Sequence, residues 1–160
     1  MYKHGQQVVM KSAPGPLKGS CIVILPERGI VFTGDTLVVD THPIIANQTS
    51  GEWLSTLALL RDLARSHTLL IGRGPVLFAG SDEAYQAIDE VENYIRDMRA
   101  RIMAHIEAGR PREAVVTYIP EFFGRFPLQT LPADWVRQQI KLSLGNVYDE
   151  VQSSPRSNLD

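Results

Sequence analysis

Apolar and polar residues follow two different rhythms along this chain. Up to Phe78 the apolar residues come in short runs separated by Gly, Pro and polar clusters; beyond it they recur every three or four residues. Short runs bounded by turn formers predict strands, and the 3.6-residue recurrence predicts helices. On this basis strands are expected at about 6–11, 20–25, 30–39, 68–71 and 76–78. The runs 20–25 and 30–39 flank Pro26-Glu-Arg-Gly29, a length and composition suited to a hairpin. Pro14 and Pro16 lie in the Pro/Gly-rich stretch 12–19, where fixed φ and missing N–H donors interrupt regular structure.

Helices are expected at about 51–66, 82–108, 112–119 and 133–152. In the first, Trp53, Leu57, Leu60 and Ala64 share a face behind Ser50, which reads as the N-cap. In the second, Ser81 is the cap, and Ile88, Val91, Ile95, Met98, Ile102 and Ile106 form one stripe up to Gly109 and Pro111. The last carries Val136, Ile140, Leu144, Val147 and Val151 on one side. Residues 120–132 read as a loop holding Phe122, Phe123 and Phe126, an aromatic cluster expected to cap the core. Strands before helices predict a layered α/β domain over residues 1–152, with a flexible tail at 153–160. With helices on only one side, such a sheet leaves its other face and at least one edge uncovered, which points to a missing portion or a partner.

Composition narrows the function classes. The 160 residues carry a net charge of −2, with no basic excess to suggest nucleic acid. No apolar run reaches the roughly 20 residues of a membrane span, and no leader is visible, so the expected compartment is the cytoplasm. The single cysteine, Cys21, excludes an internal disulfide and falls in an apolar strand, where it reads as a small buried hydrophobe. The four histidines, His4, His42, His67 and His105, are scattered. His42 is expected as a solvated loop residue, His67 and His105 as cations at helix C-termini, and His4 in a mobile terminus. No nucleophilic triad or phosphate-binding loop is spaced for its chemistry.

Three motifs then fall in order: Pro14-Gly-Pro-Leu-Lys-Gly-Ser20, Phe32-Thr-Gly-Asp-Thr36 and Ile71-Gly-Arg-Gly-Pro75. With the helix near Glu52-Trp53-Leu54, with Glu107-Ala-Gly-Arg110 and with Gly145-Asn-Val-Tyr-Asp-Glu150, they make the chain resemble the C-terminal half of the metallo-β-lactamase-fold hydrolases over roughly residues 8–151. The resemblance implies half of an αββα sandwich. It also implies a site for one or two metal ions, usually zinc, at the strand ends. There the family carries Pro-Gly-His-Thr, Phe-x-Gly-Asp and Gly-His-Gly, besides the His-x-His-x-Asp-His of its N-terminal half.

Of the ligands so implied, only Asp35 is matched, at the metal-bridging position. The other two positions hold Pro16, which has no coordinating side chain, and Arg73, a permanent cation. His-x-His-x-Asp-His is absent from the sequence. One carboxylate does not hold zinc, and without metal-bound hydroxide the family's hydrolysis has no nucleophile. The expectation is therefore a domain with no cofactor and no catalytic residues, acting in binding or self-association. Its partner would be a second copy or a separate N-terminal-half protein. Asp35 then serves as a turn former or pairs with Arg73 in place of the metal. The alternative is a zinc-dependent hydrolase completed by ligands from a partner chain or from a missing N-terminal half.

Overall fold

The hairpin between residues 20 and 39 forms as expected and anchors the sheet. In the computed structural model, which describes residues 2–3 and 5–154, β4 (Cys21–Leu25) and β5 (Ile30–Val38) pair antiparallel across a 3-10 turn, Pro26–Arg28. The strand expected at 6–11 is two pieces. Gln6–Gln7 (β2) pairs with Tyr2–Lys3 (β1) in a separate ribbon, whereas Val9–Ser12 (β3) joins the main sheet against β4. His4 and the tail from residue 155 lie outside the described residues.

β5 leads into α1 (Ser50–Ala64), which returns the chain to β6 (Leu69–Arg73) parallel to β5; β7 (Leu77–Phe78) closes the edge antiparallel to β6. The main sheet thus has five strands in the order β3-β4-β5-β6-β7. α2 (Asp82–Glu107) follows, its cap Ser81 accepting the Ala84 N–H at 3.2 Å as expected. The helix expected at 112–119 is a 3-10 segment, Arg112–Tyr118, running into a short α3 (Ile119–Phe123). Part of the stretch read as loop is therefore helical. α4 (Ala133–Ser153) ends the described chain.

One face of the sheet supplies Ile22, Ile24, Val31, Leu70 and Leu77 to the core, together with Trp53, Leu57 and Leu60 of α1 and Ile88, Val91, Ile95 and Met98 of α2. Burying each large apolar side chain here contributes about 1.5–3 kcal/mol. α4 packs on the far side of α2 through Val136, Ile140, Leu144 and Val147. The layers run sheet, α1 and α2, then α4, with α3 beside it. Period-2 alternation sends the other half of the strand residues to the opposite face, and Cys21 goes with them. It is exposed rather than buried, correcting the expectation, because Ile22 and Ile24 occupy the core register of β4. No helix of the described residues is long and apolar enough to cross a membrane.

Candidate functional site at the strand ends

The three motif segments meet at one end of the sheet. β5 and β6 run parallel, so their C-terminal ends, at Gly34 and at Gly72-Arg73, lie together. The register is regular to Phe32↔Ile71 and Gly34↔Gly72, then jumps to Val38↔Arg73. Residues 35–37 bulge out of the ladder at this jump, and Gly34, at φ 56°, takes the left-handed turn that starts it. Gly72 lets the bulge close: a Cβ there would collide with the Leu37 carbonyl oxygen and stand 2.6 Å from Thr33 Oγ1.

The Pro14–Pro16 loop is pinned into the same corner. Thr56 of α1 donates its hydroxyl to the Pro14 carbonyl at 2.7 Å, Thr49 donates to Gly15 O at 2.8 Å, and the Ala46 N–H donates to Pro16 O at 3.1 Å. Gly15 packs directly on Thr36. Trp53, fully buried as expected of a core anchor, donates Nε1–H to Thr36 O at 2.9 Å. Each loop that the resemblance assigns to the site is thus present and held by hydrogen bonds to its carbonyls, Arg73 O included, which accepts from Val39 N–H at 3.0 Å.

The side chains displayed there do not make a metal centre. Asp35 is exposed at the bulge, and among the described residues no hydrogen bond or ion pair engages its carboxylate. Arg73 is exposed one step beyond the Gly34–Gly72 pair and lines a cleft of about 370 Å³ with Val39, Asp40, Thr41 and Gln129. The expected Asp35–Arg73 ion pair is not among the ion pairs of the described residues, because the bulge sets Arg73 opposite Val38 and turns Asp35 toward solvent. Pro16 contributes only its carbonyl, already hydrogen-bonded. Zinc needs three or four nitrogen, oxygen or sulfur ligands from the protein. Among the described residues no group of three or more His, Cys, Asp or Glu is placed to hold a metal ion. The residues at this strand end do not fit the metal that the fold implies.

Two histidines stand elsewhere than expected. His42 is buried, not solvated: it stacks on Phe123, meets Phe126 edge-on and donates Nε2–H to the Phe123 carbonyl at 3.1 Å. Burial lowers its pKa, against the pull of the Phe123 and Phe122 carbonyls, and its Nδ1 is left without a partner. The aromatic cluster caps the core as expected, with Phe122 buried against Tyr94. His105 is buried rather than solvated at the end of its helix. Both its ring nitrogens are engaged: Nε2–H donates to Pro111 O at 2.9 Å, and Nδ1 lies 3.1 Å from the Tyr118 hydroxyl. His67 follows the C-terminal end of α1, its Nδ1 3.0 Å from Leu63 O.

The polar constellation that the sequence reading missed lies at the start of α1. Thr49, not Ser50, is the N-cap, but its hydroxyl is committed to Gly15. Glu150 of α4 replaces it. Its carboxylate accepts Ser50 N–H at 2.8 Å, Ser50 Oγ–H at 2.7 Å and Gly51 N–H at 2.9 Å, and pairs with Arg99 of α2 at 2.7 Å. Burial would raise the Glu150 pKa; the Ser50 hydroxyl, the two amides and the Arg99 charge together hold it below the ordinary glutamate value. The rest of the closing motif works the same way. Asn146 donates to Ile45 O at 2.8 Å, and Asp149 takes a two-pronged contact from Arg112 at 2.7 Å. The sequence signal was present in 145–150, but its partners lie 37 to 101 residues away.

Comparison with solved structures gives this arrangement its context. A metallo-beta-lactamase family protein from Thermus thermophilus superposes with a TM-score of 0.61 at 15% identity, over 94% of this chain and 47% of that one. A metallo-beta-lactamase from Pontibacter korlensis aligns at 0.48 and 15% identity over 60% of this chain and 44% of its own. The mono-zinc form of the metallo-beta-lactamase FIM-1 from Pseudomonas aeruginosa aligns at 0.42 and 20% identity over 54% and 39%. No protein-family model and no curated protein sequence matches the chain. The first superposition shows a shared fold, and the chain spans about half the length of that structure.

Proposed function

We propose that this chain is a metallo-β-lactamase-like domain that does not hydrolyse through a metal of its own and acts by binding through its sheet. One observation carries the reading: the strand-end loops that hold ligands in the implied family are built and pinned, yet they present Pro16, Arg73 and a lone Asp35. A guanidinium at a ligand position repels a divalent cation, and proline offers none of the required donors. Asp35 persists as the turn residue of the bulge.

The test is metal analysis after saturation with zinc, manganese or ferrous iron and desalting. We expect less than about 0.1 equivalent retained, where a four-ligand zinc site of ordinary affinity would retain about one. Stoichiometric retention lost in Asp35→Ala would overturn the reading. It would favour the second reading instead, a zinc hydrolase completed by another chain's ligands, which draws on the unengaged, exposed Asp35 carboxylate.

A further inference from the structure

α2 runs beside β7 and the end of β5, and Glu90, Asn93 and Tyr94 follow one another at helical spacing along the side it turns to them. Two adjoining clefts lie there. One, of about 340 Å³, is walled by Asp40, Glu90, Asn93, Tyr94, Arg125 and Phe126. The other, of about 410 Å³, shares Asp40 and Glu90 and continues over Val76, Leu77, Phe78 and Ala87. Small-molecule sites have this size and this mix of apolar wall with a few polar groups. Tyr94 singles out the first cleft. It is 2% exposed, and its hydroxyl has no hydrogen-bond partner among the described residues. Phe122 and Phe126 meet its ring edge-on at 5.4 and 5.6 Å. Burial raises its pKa and outweighs the opposing charge of nearby Arg125, so the hydroxyl stays protonated and can donate. Buried hydroxyls are normally paired, and leaving one unpaired is costly. A hydrogen-bond acceptor held in the cleft supplies the partner.

The other polar walls divide by sign. Arg125 and the Asn93 amide stand with Tyr94 as donors; Arg125 gives Nη2 to Asp97 at 2.8 Å, which leaves Nε and Nη1. Asp40 and Glu90 are the acceptors. Among the described residues neither carboxylate is in an ion pair, and Glu90 takes only the Gln86 amide, at 2.9 Å. Gln129 fixes the backbone of Asp40 by donating to its carbonyl at 2.8 Å. We propose that this groove binds a free α-amino acid with an apolar side chain, its carboxylate on Tyr94, Asn93 and Arg125, its ammonium between Asp40 and Glu90, and its side chain over Val76, Leu77, Phe78 and Ala87. Guanidinium and carboxylate make strong charge-assisted hydrogen bonds, and the ammonium meets two carboxylates. A plain amine would leave Tyr94 and Arg125 unused, and a plain acid would face the like charges of Asp40 and Glu90. This site is separate from the sheet-binding reading and does not rest on it.

Calorimetric titration of the full chain with L-phenylalanine, 2-phenylethylamine and 3-phenylpropionate tests this, since the last two lack the carboxylate and the ammonium respectively. L-Phenylalanine is expected to bind with a dissociation constant on the order of 100 µM, and each of the others about tenfold or more weakly. Glu90→Gln should weaken L-phenylalanine about tenfold and leave 3-phenylpropionate no weaker; Arg125→Gln should weaken L-phenylalanine and leave 2-phenylethylamine no weaker. Tyr94→Phe keeps the ring and should weaken L-phenylalanine about fivefold without lowering the thermal midpoint of the free chain, where the hydroxyl has no partner to lose. Asp62→Asn, exposed on α1, should leave binding unchanged. Circular dichroism checks that each variant folds. No binding of L-phenylalanine up to about 20 mM overturns the inference. So do equal affinities for the three compounds, or an affinity for L-phenylalanine that neither Glu90→Gln nor Tyr94→Phe changes.

Discussion

At the scale of single residues, the strand-end corner separates what a backbone needs from what a reaction needs. Gly72 is legible as a motif residue in Ile71-Gly-Arg-Gly-Pro75, but its reason is visible only where the bulge of β5 folds over it. The missing Cβ makes room for Leu37 O and Thr33 Oγ1. Gly72→Ala therefore forces the two strands apart at Gly34↔Gly72. We expect a loss of about 1–3 kcal/mol, the range for overpacked interiors, read as a lower urea midpoint. Substitution at Arg73, exposed beside the same glycine, should change stability by less than about 0.5 kcal/mol. The glycine of this motif serves the chain's path, independent of any chemistry at the strand end.

At the scale of elements, strands and helices were readable where periodicity was long and undisturbed, as in α2 and α4. The exceptions have local causes. Val8 lies between two strands in different sheets, so one apolar run became two elements. Pro120 sits in the first turn of α3, where its missing N–H costs nothing, so a segment read as loop is partly helix. Histidine roles failed because His42 and His105 are buried by aromatic residues 81 and 13 positions away, Phe123 and Tyr118. The start of α1 is the clearest case of an element completed from a distance, since Glu150 supplies the acceptor that the local sequence does not. Glu150→Gln keeps the shape but removes the charge shared by Arg99 and two helix-terminal amides. It should cost about 1–3 kcal/mol in urea unfolding at pH 7, with Glu150→Asp no milder because the shorter side chain retracts from Ser50.

At the scale of the whole molecule, acid should destabilise this protein in two stages of the same sign. His42 has a folded pKa below its ordinary 6.5, so the unfolded chain takes up the proton first. Its contribution is full above about pH 6.5 and is lost as the pH falls below that. Glu150 and Asp149 are likewise held low, Asp149 chiefly by its hydrogen bond with Arg112. Their contributions are full above their ordinary values of 4.5 and 3.8 and disappear below them. Urea midpoints measured from pH 8 to 3 should decline from about 6.5 downward and more steeply below about 4.5, with the upper part flattened in His42→Gln.

The sequence by itself determined the order of the main strands and long helices, the kinship of that order with one fold, and the residues Pro16, Asp35 and Arg73 that stand at the strand ends. These are properties of side-chain type and spacing, which no packing alters. Only the tertiary structure decided that Glu150 caps α1, that His42 and His105 are buried, and that Asp35 and Arg73 stand apart across a bulge. It also decided that Asp40, Glu90, Tyr94 and Arg125 line one cleft. Each of these depends on which distant segment lies alongside, and strand register sets that only once the core has chosen which face to bury.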